Sequence, residues 1–88
     1  MNTNTKDRLA KLVIRSFEQH TSLVLYRLEQ REYGFEWLRS DGMWTGVHAI
    51  SPEGAIGKAN TCTSWGNREV HIMGSGSDLW MVHLVKED

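Results

Sequence analysis

The dipeptide Asp41-Gly42 lies between two runs rich in β-forming residues, Gly34 to Ser40 and Met43 to Ile50. Both residue types accept the positive φ angles of a tight connection, so the pair predicts an antiparallel hairpin. A second hairpin is read at Arg68 to Met73 and Leu79 to Val85, joined by the turn-forming Gly74-Ser-Gly-Ser-Asp78. With Gly76 at its apex, Val70, Ile72, Trp80, Val82 and Leu84 share an apolar face that reads as core. Glu69, His71, Met73, Met81 and His83 share the other face.

The remaining elements are set by helical spacing and by caps. Leu9, Leu12, Val13 and Phe17 recur as one helical face, with Ser16 and His20 on the same line, which predicts a helix over 5–20. Thr5 is its expected cap, and Arg8, Lys11 and Arg15 form a basic stripe on another side. Residues 22–30 are rich in β-formers and read as a strand, with a continued helix as the alternative. Ser51-Pro52-Glu53 combines a cap, a first-turn proline and an early acid, so a short helix runs from there to Asn60. The order is α-β-β-β-α-β-β. It defines an α+β fold, an antiparallel sheet of five strands with both helices expected on one side.

Eighty-eight residues leave room for one core, so the whole chain is expected to form one domain, with residues 1–4 as a flexible N-terminus. Ten Lys plus Arg stand against eleven Asp plus Glu, and no global field draws the chain to nucleic acid or anionic lipid. The single cysteine, Cys62, excludes an intrachain disulfide and a cysteine-rich zinc site, which fits a reducing, cytoplasmic setting. Neither a signal peptide nor a membrane span is read in the sequence.

Motifs for chemistry are sparse. Gly54-Ala-Ile-Gly57-Lys58 fails as a phosphate loop, because Pro52 and Ala59 stand where a glycine and a hydroxyl are required. As a GxxG nucleic-acid clamp it fails because Ala55 and Ile56 read as inward-facing. The first five elements follow the order of double-stranded-RNA-binding domains, but Ser51-Pro-Glu-Gly is acidic where those carry lysines, and no family is assigned. Cys62 has no adjacent base and no Gly-x-Ser-x-Gly occurs, so no catalytic residue and no cofactor is assigned. In the assumed register Glu69 faces His83 with His71 beside them, a ligand count that suits zinc; the plainer account is a solvated sheet face without metal.

Aromatic residues carry more information. Pairing directly across Asp41-Gly42 sets Arg39 opposite Trp44, Trp37 opposite Gly46 and Phe35 opposite His48. One face then presents Phe35, Trp37, Arg39, Trp44 and His48, leaving Glu36, Ser40 and Thr45 on the other. This aromatic face is either core or a contact surface. As a surface it has hot-spot chemistry, and Trp37, Arg39, Trp44 and His48 are then the partner-binding residues. The expected function is a non-enzymatic protein-binding module, a small inhibitor or regulator of the kind phages and other mobile elements encode. It would cover a larger protein partner or a second copy of itself. The alternatives are nucleic-acid binding through Arg8, Lys11 and Arg15, disfavoured by the charge balance, and a metal-dependent or acid-base enzyme at Glu69, His71 and His83.

Overall fold

The computed structural model describes residues 1–62 and 65–86. Its elements are α1 (Thr3–Glu18), β1 (Thr21–Arg31), β2 (Gly34–Arg39), β3 (Trp44–Ala49), α2 (Pro52–Thr61), β4 (Arg68–Ser75) and β5 (Asp78–Lys86). The strands form one antiparallel sheet in the order β3-β2-β1-β5-β4, so the predicted α+β class and element order hold, and residues 22–30 are strand. Among the described residues, no helix is long and apolar enough to cross a membrane.

The helices do not share a side of the sheet. Along β1 the side chains alternate between two cores: Tyr26 and Leu28 pack with Ala55 and Ala59 of α2, while Leu23 and Leu25 pack with Leu12 of α1. The physical signal is the unbroken run Leu23-Val24-Leu25-Tyr26, since a strand buried on both faces has no polar alternation. α2 approaches the sheet closely because its inward residues are alanines, and Trp37 from β2 fills the space beneath it. The Trp37 indole donates to the Ala55 carbonyl at 3.4 Å.

Two features of α1 depart from expectation. Its cap is Asn2, whose side chain accepts from the Thr5 amide at 2.8 Å, and Thr5 is buried one turn inside. Thr3 and Asn4 thus lie in the first turn of the helix. Its inward line is Thr5, Leu12 and Ser16, which leaves Val13, Ile14 and Phe17 facing solvent, Phe17 at 78% exposure. Ser51 caps α2 as predicted, accepting from the Gly54 amide at 3.1 Å.

Both hairpin registers are offset from the simplest pairing. In the β4–β5 hairpin Ser75 faces Asp78, so the connection is the two-residue turn Gly76-Ser77 with Gly76 at φ +60°. Glycine first in a two-residue turn matches the twist of the flanking strands, and centring it there shifts every pair by one. In the β2–β3 hairpin Leu38 pairs with Trp44 but Glu36 pairs with His48. β3 therefore spends three residues, Thr45 to Val47, opposite Trp37, and Gly46 at φ +79° takes the backbone conformation that such a bulge requires.

Candidate functional site

These offsets redistribute the expected partner-binding residues. Phe35 and Trp37 lie on the α2 face with Ala49, and Trp37 at 0% exposure has no surface to offer a partner. Arg39 is opposite Tyr26 on that same face, and its guanidinium is tied to Asp41 at the hairpin loop. That hydrogen bond, helped by the Met43 amide, holds the Asp41 carboxyl below its ordinary range. Trp44 and His48 sit on the opposite face with Glu36 and Leu38. The single aromatic face read from the sequence is thus two half-faces, one in the core and one in solvent.

The solvent half-face is organised by Glu36, which is 1% exposed although the sequence placed it outside. Its carboxylate accepts from Arg31 Nη1 at 2.8 Å and from the Gly46 amide at 2.6 Å, and His48 Nδ1 stands 3.5 Å away. A buried carboxylate persists only when its lone pairs are satisfied, and these donors satisfy them. The Arg31 guanidinium, fixed at its Nη1 end, lies 3.9 Å from the centroid of the Trp44 ring, within cation–π range. Tyr33, exposed at the β1–β2 turn, meets the His48 ring edge-on at 6.4 Å. Beside them a groove of about 400 Å³ follows β3 between Tyr33, His48, Ile50 and Lys58. Sequence reasoning missed Arg31, Tyr33 and Glu36. The available signal was a charged residue between Phe35 and Trp37, since a carboxylate taken up among large apolar side chains has to be supplied with a partner.

The Glu69, His71 and His83 cluster does not assemble. With the β4–β5 register shifted, Glu69 faces Leu84, and His83 faces Val70 on the other side of the sheet. Among the described residues, no group of three or more His, Cys, Asp or Glu side chains is placed to hold a metal ion. Glu69 instead pairs with Arg15 of α1 and lies 3.2 Å from His71 Nε2. Burial pushes the Glu69 carboxyl up, but the hydrogen bonds from Arg15 and His71 outweigh it and hold the carboxyl below its ordinary value. Arg8 and Lys11 line a shallow depression beside them, so one cation of the basic stripe is already neutralised and two face water.

His83 is buried among aromatic rings, 4.5 Å from the Tyr26 centroid and 4.7 Å from that of Trp65. Its Nε2 has no hydrogen-bond partner among the described residues, and Arg68 approaches Nδ1 at 3.4 Å. Burial, with the Arg68 charge second, pushes its pKa down from 6.5 to about 4. Above pH 6.5 the ring is neutral folded or unfolded and contributes no pH dependence. Between there and about pH 4 the unfolded chain takes up a proton that the folded one refuses, so stability falls with acid, by on the order of 3 kcal/mol in full. Urea unfolding at pH 7.5 and pH 5 is expected to show about 2 kcal/mol of this loss in the native chain and a flatter dependence in His83→Leu. Equal slopes in the two proteins would show that His83 is not the group responsible.

Compared with known proteins, the chain matches no family model, no curated sequence and no solved structure.

Proposed function

We propose that this chain is a non-enzymatic protein-binding module, a small inhibitor or regulator that covers a surface of a larger protein through the Trp44 half-face. The observation that carries the reading is the Trp44 ring stacked on an Arg31 guanidinium that is itself anchored to buried Glu36. Trp, Tyr and Arg dominate interface hot spots, and a platform already ordered in the free protein loses little entropy on binding. Charge favours a protein over a nucleic acid. Arg15, Arg27, Arg31 and Arg39 each pair with a carboxylate of this chain, so four of its ten Lys and Arg are already matched and fewer are left to displace counterions from phosphates.

Trp44 is 39% exposed and contributes less to folding than a core tryptophan. Trp44→Ala is therefore expected to weaken partner binding about 30-fold or more, the effect of a hot spot of at least about 2 kcal/mol, while the melting temperature falls by only a few degrees. The check is affinity capture from cytoplasmic extract, with and without nuclease, using the native chain, Trp44→Ala and a variant with Arg8, Lys11 and Arg15 neutralised. A protein retained by the native chain and the charge variant but lost by Trp44→Ala supports the proposal. Material lost with the charge variant, released by nuclease and steeply salt-dependent would favour nucleic-acid binding instead.

A further inference from the structure

Five strands spaced about 4.8 Å apart make a face roughly 20 Å wide, and one helix covers about 10 Å of it. α2 is committed to one face. On the other face α1 stands alone, and its core takes residues from β1, β5 and β4 but none from β2 or β3. The uncovered strip is therefore one helix wide. Its floor is mostly apolar at the end near the hairpin loop, where Leu25, Leu38 and Trp80, together with Arg27 and Arg39, line a cavity of about 220 Å³. The wall of this strip is the flank of α1 that carries Val13 and Phe17, which border Leu23 of β1, while the Arg8 and Arg15 flank turns toward β4.

We infer that a second copy of this chain covers the strip, with α1 of each protomer laid on the bare half of the other's sheet. The surface is self-complementary. It carries a ridge that needs cover, formed by Val13, Ile14 and Phe17, and beside it a floor that needs a helix, which is the condition for a two-fold interface. The exposed Phe17 ring is the residue that enters the partner's Leu25, Leu38 and Trp80 cavity. The charged residues that line the floor are already matched, Arg27 with Glu29 and Arg39 with Asp41, so a second copy buries no uncompensated charge there. Two helix footprints of about 24 by 10 Å, counted on both surfaces, come to about 1,000 Å², the lower bound for a specific interface. Trp44 is paired with Leu38 on the edge strand and so borders the strip, and the dimer and a larger partner would compete for this edge.

The test is light-scattering mass measured over 5 µM to about 1 mM. The native chain is expected at twice 10.1 kDa in the upper part of this range, and Phe17→Glu and Leu38→Lys, one from the ridge and one from the floor, at 10.1 kDa throughout with unchanged far-UV circular dichroism. Ile14→Lys, also on the exposed ridge, is expected to be monomeric and stands in for Phe17→Glu should that variant lose its structure. A native chain that is monomeric at every concentration overturns the inference, as does a dimer that survives the ridge and floor substitutions. Partner capture is scored separately through Trp44, so either failure leaves that reading to stand or fall on its own data.

Discussion

Trp37→Ala is expected to destabilise the chain by about 3–5 kcal/mol, the range for truncating a fully buried large aromatic side chain. The Trp37 ring lies in the core between β2 and α2 with no exposed surface, and its neighbours Ala49, Ala55 and Ala59 have no side-chain length with which to close a cavity. The carbonyl of Ala55 also loses its indole donor. A domain of this length has about 4–13 kcal/mol in total, so the variant should be marginal or unfolded at 37 °C. Thermal unfolding followed by circular dichroism checks this, and a fall of only a few degrees would show that Trp37 is not the centre of the α2-side core.

Glu36→Ala is the second large effect, expected at about 2–4 kcal/mol and a fall in melting temperature of about 10–25 °C. Removing the carboxylate leaves the Gly46 amide without its acceptor and frees Arg31 from the position that stacks it on Trp44. Arg31 reaches water at its exposed side, which keeps the cost below that of stranding a fully buried charge. Because the bulge and the platform share this anchor, Glu36→Ala should also broaden the NMR resonances of Gly46 and the Trp44 indole. Chemical denaturation of the native chain and Glu36→Ala measures the loss. A change under 0.5 kcal/mol, the usual limit for a surface substitution, would contradict the buried network.

Elements were legible where a local signal decides them. The Asp41-Gly42 and Gly74 to Asp78 turns, the Ser51-Pro52-Glu53 helix start and the β-rich run after His20 each correspond to an element near its observed bounds. Faces were less legible, because a one-residue offset reverses them. A three-residue apex in place of Gly76-Ser77 would set Glu69 opposite His83 and put Trp80, Val82 and Leu84 on a common face with Val70 and Ile72, and the observed register does neither. The Gly46 bulge and the wider Asp41-Gly42 loop likewise separated Trp44 and His48 from Trp37. Glu36 was unreadable as a site because its partners arrive from a neighbouring strand and from a bulge amide, neither of which has a sequence spacing of its own. For α1 the apolar spacing was correct, but Leu12 faces the sheet while Phe17 faces solvent, and the helix position on the sheet decides that.

The aromatic residues divide between core and surface, with Trp44 outside and Trp37 inside. The chain has four tryptophans, and the indole N–H groups of Trp37, Trp65 and Trp80 each donate within the fold, to the Ala55 carbonyl, the Ala59 carbonyl and the Asp78 carboxylate. Recording the four indole NMR signals while titrating a soluble gadolinium chelate reads the exposure of each ring directly. Trp44 should broaden first and most, with Trp37 the most protected of the four. A protected Trp44 signal together with a bleached Trp37 signal would place the contact surface on the other face and contradict this division of core and surface.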